Sequence, residues 1–116
     1  MSNRQVPRAE WPGFFREFSR SHENESVTVR IVSPSLGSQV ESQGLPLEGI
    51  VADAGGHGRV SINLGRSPEQ NVEHEVPEPR QVWVKVSAAG DEEALEIESE
   101  DGTKTIVELR AAPPSL

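Results

Sequence analysis

The chain has 116 residues and no cysteine, which allows one modest core and excludes disulfides, thiolate metal sites and thiol nucleophiles. Its net charge is −8, from 11 Lys and Arg against 19 Asp and Glu, so general binding to a phosphate backbone is disfavoured. No run approaches the ~18 apolar residues of a membrane span, and the N-terminus lacks the apolar stretch of a signal peptide, so the cytoplasm is the expected compartment.

Residues 1–116 read as a single domain, and residues 1–6 as a flexible leader. A helix is expected over 7–22. Trp11, Phe14, Phe15 and Phe18 fall at i, i+3, i+4 and i+7, one face of a helical wheel. Pro12 is tolerated only in a first turn, so the helix starts near Arg8 or at Pro12 itself. Such a short helix is marginal in water and must dock its aromatic stripe. Arg16 and Arg20 lie elsewhere on the wheel and are candidate interface residues.

Short strands follow. Val27, Val29 and Ile31 alternate with Thr28 and Arg30, and Pro34 ends that strand. Residues 36–44 are polar and bounded by glycine, and read as a loop with a short strand around Val40. Leu45 to Ala52 reads as a strand with Pro46 at its start and a bend at Gly49. Gly55-Gly56-His57-Gly58 reads as a turn. Val60, Ile62 and Leu64 alternate, as do Val72, His74 and Val76, and then Val82, Val84 and Val86. Pro77-Glu78-Pro79 breaks or sharply bends the chain.

The last third specifies a hairpin with its register. A three-residue loop, Glu100-Asp101-Gly102, with left-handed Gly102, pairs Ser99 with Thr103, Ile97 with Thr105 and Leu95 with Val107. Glu96, Glu98, Lys104 and Glu108 then share the wet face, with Glu98 opposite Lys104. A two-residue loop would place Val107 opposite Glu96 and lose that separation. The expected fold is therefore mainly β: an N-terminal α-helix packed on a small antiparallel β-barrel of five to six strands over 27–110, Sm-like or SH3-like. Residues 111–116 read as a tail.

Three stretches, Trp11 to Arg20, Leu45-Pro-Leu-Glu-Gly-Ile and Glu93 to Thr103, resemble in this order an uncharacterised bacterial family, domain-of-unknown-function family 5335. The resemblance implies a small stand-alone bacterial protein and transfers no activity and no site residues. The helix followed by Leu47 to Asp53, a Gly-rich turn and Val60 to Leu64 is also similar to the opening of Sm-like barrels. That likeness implies an RNA-binding ring. The Arg-Gly ending of its RNA-binding loop is replaced here by Glu98 to Gly102.

Chemistry-bearing residues are sparse. His22 falls near the helix end, where a cation is mildly favoured. A loop site could join His57, Arg59 and His74, as a metal or hydrolytic centre, if a carboxylate converged on them. No H-E-x-x-H, G-x-S-x-G or Walker A pattern occurs, and no cofactor, metal ligand or catalytic residue is assigned. Trp83 points away from the face shared by Val82 and Val84. It is either covered by the Phe14/Phe18 stripe or an interface anchor beside Lys85. The expected function is a non-catalytic interaction module with an unknown protein partner, or a homo-oligomer through its β edges. An RNA-binding Sm-like oligomer is the alternative, and the loop site a second one.

Overall fold

The computed structural model describes residues 2–52, 59–65 and 68–109. It opens with a strand, β1 (Ser2–Val6). A single 3-10 turn, Arg8–Glu10, leads into α1 (Trp11–Ser21). Strands β2 (Ser26–Ser33), β3 (Gly37–Ala52) and β4 (Arg59–Gly65) follow. They are succeeded by β5 (Asn71–Pro77), β6 (Pro79–Val86), β7 (Glu92–Ser99) and β8 (Lys104–Leu109). All eight described strands belong to one antiparallel sheet in the order β1-β6-β7-β8-β2-β3-β4-β5.

The fold is mainly β with one N-terminal helix packed on antiparallel strands, as expected, but the barrel is only partly formed. The sheet has eight strands rather than five or six, and it is open, ending at β1 and β5. A strand also precedes the helix, unlike the helix-first, five-stranded Sm-like arrangement. Residues 2–6 of the expected leader are not free, because Ser2 to Val6 pair with Val86 to Val82 in unbroken register. The segment carries no apolar alternation because it is an edge strand. Its four residues Ser2 to Gln5 are exposed, and only Val6 enters the core. Residues 37–44 are likewise not a loop: the short strand expected around Val40 extends over all of them as the first part of β3, paired with β2 from Ser33↔Gly37 onward, and only Leu36 lies in the preceding turn. Their polar composition reflects exposure of that half-strand, Ser42 excepted.

β3 serves two neighbours. Its first part pairs with β2 and its last part with β4. The change-over falls at a bulge between Leu47 and Gly49. Pro46 is tolerated inside this strand because the ladder is already interrupted beside it. The bulge re-aims the strand, so that one core joins residues from both parts of the sheet.

The helix behaves as its spacing dictates. Trp11, Phe15 and Phe18 are buried and Phe14 packs at the margin. Pro12 sits in the first turn, where its missing N–H costs nothing. Ser19 fixes the helix on β3: its Oγ accepts from Ile50 N at 2.8 Å and donates to Ile50 O at 3.2 Å. Trp11 Nε1 donates to Val6 O at 2.9 Å, tying the helix to β1.

The final hairpin has the expected register, with Leu95↔Val107, Ile97↔Thr105 and Glu98↔Lys104. Gly102 has φ +88°, the left-handed value the three-residue loop demands. Ser99 N donates to Thr103 O at 2.8 Å, and Asp101 Oδ1 accepts from Thr103 N at 2.9 Å. The Pro77-Glu78-Pro79 break is also present, with Glu78 at φ +47° between β5 and β6. The expected turn at 55–58 and tail at 111–116 lie outside the described residues.

Candidate functional site

Strand parity sorts the sheet into two faces. Val82, Val84, Leu95, Ile97, Val107, Val29 and Val27 point inward and are fully buried. Their neighbours point outward and meet in ladder rows. One row runs Gln5, Trp83, Glu96, Ile106, Arg30 across β1, β6, β7, β8 and β2. A second runs Asn3, Lys85, Ala94, Glu108, Thr28, and a third Gln81, Glu98, Lys104, Val32.

These rows form an open groove of about 710 Å³. Trp83, Ala94 and Ile106 supply its apolar surface. Arg30, Lys85 and Lys104 are matched by Glu96, Glu98 and Glu108, so its formal charge cancels within a chain of −8. Arg30 Nε donates to Glu108 Oε1 at 3.0 Å and its Nη1 to Ser38 Oγ at 3.3 Å. Lys85 and Lys104 form no ion pair with the described residues. Trp83 is half-buried, and its Nε1 donates to Gln81 Oε1 at 3.3 Å.

The structure overturns one reading of Trp83, its cover by the aromatic stripe. The aromatic stripe of α1 lies in the core, on the opposite side of the sheet, and does not cover it. Trp83 and Lys85 share the groove. Arg16 and Arg20 do not line it. Both are exposed on α1, where Arg20 approaches Glu17 at 4.0 Å. Sequence reasoning placed Glu96, Glu98, Lys104 and Glu108 on a wet hairpin face but missed Asn3, Arg30, Ala94 and Ile106. The parity of the hairpin already put Ala94 and Ile106 on that outer side. Joining them to Arg30 and Asn3 required the strand order.

The loop site does not assemble among the described residues. His57 lies outside them. Arg59 is exposed and pairs with Glu75 at 3.4 Å. His74 is half-buried, with Nε2 2.8 Å from Ser42 Oγ, a contact between β5 and β3. No described carboxylate is hydrogen-bonded to its other ring nitrogen. No group of three or more described His, Asp or Glu residues is placed to hold a metal ion. Nor is any described helix long and apolar enough to cross a membrane.

His22 makes contacts that the sequence did not disclose. It caps α1, its ring lies 4.6 Å from that of Phe18, and its side chain is only 13% exposed. Its two ring nitrogens meet Glu25 at 2.9 Å and Glu92 at 2.7 Å. Burial pushes its pKa down, but hydrogen bonds to Glu92 and then Glu25, with their charges, outweigh this and raise it.

The three motifs of the sequence lie at the core helix, the β3 bulge and the final hairpin, all of which define this fold. The model of a family of unknown function (DUF5335) matches residues 2–115. The chain belongs to that family. A relative, an uncharacterised protein of Aquifex aeolicus (strain VF5), is 23% identical over 114 residues, covering 98% of this chain and 97% of its own. No solved structure matches the chain. Membership in this family assigns no chemistry, so the function of this DUF5335 member is argued from its surface.

Proposed function

We propose that this protein is a non-catalytic interaction module of the cytoplasm, whose Trp83 groove docks a segment of a protein partner. One observation carries the reading: a half-buried tryptophan lies outward on the sheet, in one groove with Ala94 and Ile106 and with charges of both signs. A tryptophan brings a large contact area with a polar handle, and such residues dominate binding energy at interfaces. The cancelled charge favours a segment that offers an apolar side chain between one acidic and one basic residue. It disfavours a phosphate backbone, which needs net positive charge. The absence of cysteine suits a reducing compartment.

The test begins with a photo-crosslinking residue at Ile106 to identify the partner. The purified partner's Kd is then measured against the wild type and Trp83→Ala. A loss of at least about tenfold, ~1.4 kcal/mol, is expected. Equal affinity for both folded proteins sinks the groove reading.

A further inference from the structure

Strand β8 turns Lys104, Ile106 and Glu108 outward, while Thr105 and Val107 between them are buried. An apolar side chain thus stands between a base and an acid. That is the chemistry the groove favours in a partner, and the groove's own chain carries it. Strand β7, beside it, turns Ala94, Glu96 and Glu98 outward. Lys85, Lys104, Glu96 and Glu98 form no ion pair with the described residues.

The face is complementary to itself about one axis. A two-fold axis parallel to the strands and midway between β7 and β8 carries each ladder row onto itself. It seats β7 of one copy over β8 of the other, and β6 over β2. In the Gln81 row, Glu98 then faces Lys104 of the second copy, and Lys104 faces its Glu98. In the Trp83 row, Trp83 faces Arg30 of the second copy, a cation toward an indole. Ile106 of the second copy seats one strand away from Trp83, a spacing of ~4.8 Å. In the Lys85 row, Glu108 of the second copy lies over Ala94, again one strand from Lys85. No like charges face each other in these rows. An axis along β7 would stack Glu96 and Glu98 on their own copies, and one along β8 would stack Lys104 and Glu108. Midway between β6 and β7, or between β8 and β2, it would oppose no acid to a base.

We propose, resting on the groove reading, that the occupant of the groove is a second copy of this chain, face to face about this axis, with β8 as the segment each copy presents. The contact is isologous, so it closes at a dimer. Stacked sheets lie ~10 Å apart and within about 30° of alignment, so Glu98 and Lys104, the facing pair nearest the axis, keep their register best. Five strands by three rows offer on the order of 500 Å² of each copy, the low end for a specific contact. The dimer is therefore weak, grows with concentration and is loosened by salt.

Sedimentation equilibrium across a concentration series at low salt tests it. Glu98→Lys and Lys104→Glu each set like charges face to face twice in the dimer, and each raises the dimer Kd at least about tenfold. A mixture of the two variants restores both facing pairs and regains the wild-type Kd, as does one chain carrying both reversals. A loss that arose within each chain would not be repaired by mixing. Trp83→Ala also weakens the dimer at least about tenfold, and urea midpoints confirm that each variant is folded. A dimer indifferent to both reversals overturns the proposal, as does a loss that mixing does not restore. A wild type that stays monomeric at its highest soluble concentration also overturns it. A crosslinker at Ile106 that then captures a different protein leaves the groove reading standing without the second copy.

Discussion

His22 shows how one side chain can hold two distant segments together. Its ring bridges Glu25, three residues on, and Glu92, seventy residues on. The protonated imidazole can donate to both carboxylates, so the charged form is favoured in the folded state. The pKa is raised above the ordinary value near 6.5. The group therefore contributes stability that is fully present below about 6.5. That contribution is lost as pH rises through the raised folded value. His22→Gln is expected to cost about 1–2 kcal/mol at pH 5.5 and clearly less at pH 9. Urea midpoints of both proteins across that range measure the difference. A cost that does not change with pH removes the charged bridge from the account.

At the scale of elements, β1 and β3 are the informative cases. β1 is almost wholly polar, yet Val6 is 2% exposed and its carbonyl accepts the Trp11 indole N–H. Deleting residues 1–6 strips β6 of a neighbour and leaves that buried indole donor without its acceptor. The expected loss is about 2 kcal/mol or more, read as a lower urea midpoint with the far-ultraviolet spectrum largely kept. An unchanged midpoint restores the flexible leader that the composition alone suggests. β3 teaches the complementary lesson. Its 16 residues contain a proline and a bulge, and it reads in sequence as a loop followed by a strand. It is continuous because each half borrows a different neighbour. A pattern within the strand cannot show which neighbour it will have.

The whole molecule is organised by one apolar cluster that takes residues from α1 and from every strand, from Val6 in β1 to Val107 in β8. Phe15, 1% exposed, stands within it. Phe15→Ala is expected to cost about 3–5 kcal/mol, a large part of the ~5–15 kcal/mol typical of a domain. Because the cluster is shared, unfolding should remain one transition. Trp11 sits in that core and Trp83 on the opposite face, so tryptophan fluorescence and circular dichroism sample different regions. Coincident urea curves are expected for the wild type and for the variant. Separate curves would mean that the two parts of the sheet unfold independently.

The amino-acid sequence alone determined the face of α1, the alternation of the inner strands and the register of the β7–β8 hairpin. Each depends on residues close in the chain, where a period of 3.6 or 2 and one left-handed glycine settle the geometry. It also placed Trp83 opposite Val82 and Val84. Tertiary structure alone decided that β1 pairs with β6, that β3 spans both parts of the sheet and that the sheet stays open. It also brought Arg30 and Asn3 to the Trp83 groove and Glu92 to His22. Those contacts join residues far apart in the chain, and local propensity carries no information about which distant strand will satisfy a backbone edge.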